Sequence, residues 1–164
     1  MIAVRSALKR CALLLLSFGV LSLPAHAADW GKVSWGMSRA EVSAQYPAAT
    51  PEGDRLKAVH AGEILGVPFD ATFEFREDKL VSLALRSDNA SPAISRSSAD
   101  SFRDLLIGKY GAPLHLKAGP TSLEGVWRSD RTVIKFFAPS TPAPGYPVYS
   151  FYYWSRADPR YDEI

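Results

Sequence analysis

The stretch Val148-Tyr149-Ser150-Phe151-Tyr152-Tyr153-Trp154 packs aromatic and β-branched residues into seven positions, the composition a half-buried strand requires. Working back from it, Thr132 to Ala138 and Ser122 to Arg128 read as two more strands. The tight Ser129-Asp130-Arg131 turn joins that pair, and a proline-rich loop from Pro139 to Pro147 precedes the last strand. Three consecutive strands with short connections form an antiparallel sheet, which hides one face in a core. Alternation then places Leu123, Trp127, Ile134, Phe136, Tyr149, Phe151 and Tyr153 inward. It leaves Glu124, Arg128, Lys135, Phe137, Tyr152 and Trp154 outward.

A second hairpin lies upstream. Phe69 to Phe75 alternates with Ala71, Phe73 and Phe75 on one face, and Leu80 to Arg86 returns with Val81, Leu83 and Leu85 inward. Its outward set is Thr72, Glu74, Arg76, Ser82, Ala84 and Arg86, with a turn at Arg76-Glu77-Asp78-Lys79. Leu56 to Ile64 is a weaker strand signal, and Ala48 to Asp54 reads as a turn-rich link.

Each set of strands follows a helix. Ser38 with Glu41 three residues on is a capping box, so a short helix is expected from Arg39 to Tyr46, stopped by Pro47. A second helix is expected from a cap at Ser97 or Ser98 to Tyr110, with Phe102, Leu105, Leu106 and Tyr110 along one stripe. Gly111 and Pro113 end it, and Leu114 to Lys117 is a short edge candidate. The expected class is therefore α+β: an antiparallel sheet with helices packed on one face, built from two helix-plus-three-strand halves. The halves span about 28–87 and 98–155 of a single domain at 28–155. A polar linker covers 88–97 and a flexible tail 156–164.

The N-terminus carries Arg5, Lys9 and Arg10, an apolar run from Ala12 to Leu23, and Ala25-His26-Ala27. These are the parts of a signal peptide at 1–27 cut after Ala27, and the apolar run is too short to span about 30 Å of hydrocarbon. Cys11 precedes that run, so it does not occupy a lipoprotein position and leaves with the signal. Cleavage also removes three basic side chains. The balance of 19 basic to 17 acidic then comes close to parity, which removes any electrostatic reason to bind nucleic acid or an anionic membrane. The expected address is the periplasm, without a membrane anchor after cleavage.

Catalytic chemistry is sparsely provided. His60 and His115 are the histidines left after cleavage, with no metal-ligand spacing, so no metal and no cofactor are expected. No Gly-x-Ser-x-Gly elbow or phosphate-cradling glycine loop occurs. The acid–base alternative, a small exported hydrolase or carbohydrate-active enzyme, would use Glu74, Glu124 or Asp70, with Glu74 and Glu124 meeting across the sheet. A small-ligand carrier is a further alternative and needs a pocket between helices and sheet.

Gly36-Met37-Ser38-Arg39-Ala40-Glu41-Val42, the helix end Lys109-Tyr110-Gly111-Ala112-Pro113 and the hairpins after each helix resemble small exported bacterial proteins of the BLIP-like and BamE/SmpA-like group. The chain departs from them in having no lipidation cysteine and no cysteine at all after cleavage. The resemblance implies a non-enzymatic protein that presents a sheet face to a protein partner in the cell envelope. The expected binding residues are Glu74, Arg76, Arg86, Glu124, Arg128, Lys135, Phe137, Tyr152 and Trp154, where aromatics sit among charges as at protein interfaces.

Overall fold

Alternation along the strands resolves into one antiparallel sheet in the computed structural model, which describes residues 30–87, 96–139 and 149–159. The first half runs α1 (Arg39–Gln45), β1 (Thr50–Glu52), β2 (Arg55–Ile64), β3 (Val67–Arg76) and β4 (Lys79–Ser87). The second runs α2 (Arg96–Tyr110), β5 (His115–Ala118), β6 (Ser122–Arg128), β7 (Thr132–Pro139) and β8 (Ser150–Ser155). The eight strands are ordered β1-β2-β3-β4-β8-β7-β6-β5, so the halves meet where β4 pairs with β8.

Among the described residues each half thus has a helix and four strands, which corrects the expected three. The extra strand of the first half is Thr50–Glu52, within the stretch read as a turn-rich link. Three residues show no period, but a two-residue turn at Gly53-Asp54 folds them back on Arg55 to Lys57. Their counterpart, β5, forms the opposite edge of the sheet.

One face of the sheet carries the core. Trp127, Tyr149, Phe69, Phe73, Phe136 and Phe151 are all fully buried there, together with Phe102 of α2. Phe102 meets Phe69, Phe136, Tyr149 and Phe151 at ring-centroid distances of 4.7–6.0 Å. Tyr46, which caps α1, packs on Phe73 at 5.0 Å. Phe69 and Phe73 are four residues apart on β3 and share a face, so rings from both helical segments meet the same side of the sheet. The buried cluster is continuous across both halves. Leu105 is the exception in the α2 stripe, 43% exposed at the helix flank beside buried Leu106.

Local chemistry accounts for the details. Ser38 Oγ accepts the Glu41 N–H and the Glu41 carboxylate accepts the Ser38 N–H, the reciprocal cap expected from sequence. The β3–β4 hairpin turns through Glu77 and Asp78, both at positive φ. Just after it, the pairing slips by one residue: Glu74 opposes Ser82 while Phe75 opposes Leu80. That bulge makes Val81 the extra residue. Leu80 therefore takes the core position and Val81 is half-buried, which corrects the expected inward Val81.

The tail departs from expectation too. The Arg156 N–H donates to the Arg131 carbonyl at 2.8 Å, and its guanidinium donates to the Ser129 and Asp130 carbonyls. Asp158 is buried against Arg76. Residues 156–159 of the expected flexible tail are thus docked by an ion pair and backbone bonds; residues 160–164 lie outside the described residues. So do most of the 88–97 linker, the 140–148 stretch of the proline-rich loop and the whole signal segment. Among the described residues, no helix is long and apolar enough to cross a membrane.

Candidate functional site

The sheet face opposite the core is built by the other half of each alternation. Across the strands, cross-strand pairing sorts its side chains into rows. One row runs Glu52, Arg55, Glu74, Ser82, Trp154 and then Val133 and Arg128. Another runs Asp70, Arg86, Ser150, Phe137, Glu124 and Lys117. Between them, Lys57, Thr72, Ala84, Tyr152 and Lys135 stand in line.

Relief on this face follows from side-chain size. Tyr152 and Trp154 stack on β8 with centroids 5.7 Å apart and planes 11° from parallel. Their neighbours on β4 are only Ala84 and Ser82. The aromatic pair is therefore a ridge with a hollow on each side. The first hollow, about 360 Å³, is floored by Thr72, Ser82 and Ala84 and bounded by the cations Arg55, Lys57 and Arg86 and the carboxylates Glu52, Asp70 and Glu74. The second, also about 360 Å³, lies between the ridge and Glu124, Lys135 and Phe137. Arg86 places its guanidinium 5.9 Å from the Tyr152 ring centre, a cation–π contact that steadies the ridge.

Of the nine expected binding residues, the fold brings Glu74, Arg86, Glu124, Lys135, Phe137, Tyr152 and Trp154 to the hollows or their walls. Arg128 is exposed on the same face at the end of its row. Arg76 is diverted: its Nη1 lies 3.3 Å from Asp158 Oδ1, so it fastens the tail instead of facing the hollow.

Arg55 and Lys57 were missed. The Arg55-Leu56-Lys57-Ala58 alternation held the signal, since Leu56 and Ala58 are buried, but the weak strand pattern beyond Ala58 obscured it. The cause is a pucker in β2. Ala58 opposes Ala71 and Gly62 opposes Phe69, so Val59, His60 and Ala61 together oppose Asp70 alone. His60 sits at φ 50, and its N–H donates to Asp70 Oδ1 at 3.0 Å.

This geometry corrects the carboxylate pairing. Glu74 on β3 and Glu124 on β6 are four strands apart, about 19 Å at ~4.8 Å per step, against the roughly 5–9.5 Å of a glycosidase pair. Asp70 is engaged with the His60 backbone. His60 and His115 stand six strands apart, and no group of three or more metal-ligating side chains converges among the described residues. No protein-family model, curated protein or solved structure matches the chain.

Proposed function

We propose that this chain is an exported, non-enzymatic binding module that holds a partner protein of the cell envelope against its open sheet face. In this reading the fold is α+β with two helix-led halves, and the resemblance to BLIP-like and BamE/SmpA-like proteins fits that arrangement. The signal-like N-terminus supports a periplasmic address.

One observation carries the proposal. The helical segments pack on the same side of an eight-stranded sheet, and the reverse side bears a half-buried Tyr152–Trp154 ridge between two shallow hollows edged with charge. A rigid aromatic pair costs little side-chain entropy on docking, and such residues dominate interface energetics. The Glu74–Glu124 separation favours binding over acid–base chemistry.

Photo-crosslinking in the intact envelope tests this. A photoreactive side chain at Ala84, on the hollow floor, is expected to give discrete protein adducts that the same group at Ala44, exposed on α1, does not give. Matching adducts from both positions, or none from Ala84, would remove the proposed face. Sequencing the N-terminus of the exported protein is expected to find Ala28 first.

A further inference from the structure

The rows of the open face differ in charge. The row through Trp154 holds Glu52 and Glu74 against Arg55 and Arg128, and the row through Phe137 holds Asp70 and Glu124 against Arg86 and Lys117. Each is balanced. The middle row has no carboxylate: Lys57, Thr72, Ala84, Tyr152 and Lys135 are followed by Val126 and His115. Neither Lys57 nor Lys135 has an ion-pair partner among the described residues, although both are half-buried on the sheet. Each side chain is partly covered along its stem and brings an ammonium with no counter-ion to the face, an arrangement that favours an incoming anion.

From this row we infer that the open face binds an acidic, extended segment of its partner, lying across the strands with a carboxylate at Lys57, another at Lys135 and an apolar side chain between them against the Tyr152–Trp154 ridge. The inference rests on the binding-module reading and adds the chemistry of the partner. Lys57 and Lys135 are four strands apart, about 19 Å, which an extended chain covers in roughly six residues. Ala84 and Ser82 leave the space beside the ridge that the apolar side chain fills. Two lysines this far apart match separated carboxylates on a polypeptide. They are too sparse for a duplex, which carries a charge about every 1.7 Å of its axis.

The experiment is selection of a displayed random 12-residue peptide library on the purified mature protein. Lys57→Gln, Lys135→Gln and Trp154→Ala variants serve as counter-baits, each checked for an unchanged thermal midpoint. The expected result is enrichment of peptides with two acidic residues about five to seven positions apart around an apolar one. Affinity for a selected peptide should fall about tenfold with either lysine variant and fall again in high salt. Peptides that depend on Trp154 but show no acidic bias would overturn the inference and leave the binding face standing. No enrichment, or enrichment indifferent to all three variants, would overturn both. Lysine-dependent binding of heparin or phosphatidylglycerol vesicles without acidic peptides would also overturn it, making the row a polyanion site.

Discussion

Arg76 Nη1 lies 3.3 Å from Asp158 Oδ1, and the two side chains are unequally covered: Arg76 is 45% exposed and Asp158 not at all. The pair joins the end of β3 to the chain after β8, fastening one half of the sheet to the close of the other.

Removing Arg76 takes a cationic partner from the Asp158 carboxylate in a place water does not reach. Because the arginine is well exposed, screening reduces the loss below that of a fully buried pair. Arg76→Ala is expected to lower unfolding free energy by about 1–3 kcal/mol, read from the urea midpoint. Deleting residues 156–164 should cost at least as much, because the Arg156 bonds to the β6–β7 turn go too. Unchanged midpoints in both would show that the tail is not held.

Gly125 is covered by the Trp127 ring, and a Cβ there would collide with Trp127 Cζ3 and Cη2 while touching Leu116 Cδ1 at 3.4 Å. Trp127 cannot easily move away, since its Nε1 donates to the Gly111 carbonyl at 3.1 Å at the end of α2. Gly125→Ala is therefore expected to destabilise the protein by about 1–3 kcal/mol through overpacking, although alanine suits a strand better than glycine. Thermal unfolding measures it; a raised midpoint would mean the ring yields freely.

Tyr46 stacks near Trp30 and packs on Phe73, and burial raises the pKa of its hydroxyl above the ordinary 10.0; a bond from the Lys32 backbone acts in the opposite sense. A raised folded value means the folded state resists losing the proton while the unfolded chain gives it up. The contribution is fully present below pH 10.0 and is lost as pH rises from there through the folded value. Tyr46→Phe should lose less stability than the parent between pH 9 and 11, followed by urea titration at each pH. Parallel curves would place the alkaline loss elsewhere.

How far the sequence reveals this depends on where local pattern governs. The β8 aromatics, the β3–β4 hairpin and the Ser38–Glu41 cap were legible because period-two alternation and reciprocal capping are local. The slip at Val81 was not, since a bulge changes pairing without changing composition. The short strand at Thr50–Glu52 has too few residues to show a period. On the candidate site, the Tyr152–Trp154 ridge and Lys135 could be read from the strand phase. Lys57 could not, because the β2 pucker broke the pattern that would have carried the phase back to it. Asp158 as a partner for Arg76 is an encounter between positions 82 residues apart, which no spacing rule encodes.

Asp70 provides the sharpest test of structure against chemistry on the open face. Its carboxylate accepts the His60 N–H at 3.0 Å and holds a histidine in the left-handed region, where a side chain costs roughly 1–2 kcal/mol. If that is its work, Asp70→Ala should destabilise by about 1 kcal/mol and speed amide exchange at His60 first. His60→Gly should offset part of the loss in the Asp70→Ala background, because glycine reaches φ 50 without steric cost. The combined variant, measured by urea denaturation and hydrogen exchange, is expected to lie closer to the parent than Asp70→Ala alone. An Asp70→Ala protein of full stability and unchanged His60 exchange would return that carboxylate to the pool of groups available for a ligand or for acid–base work.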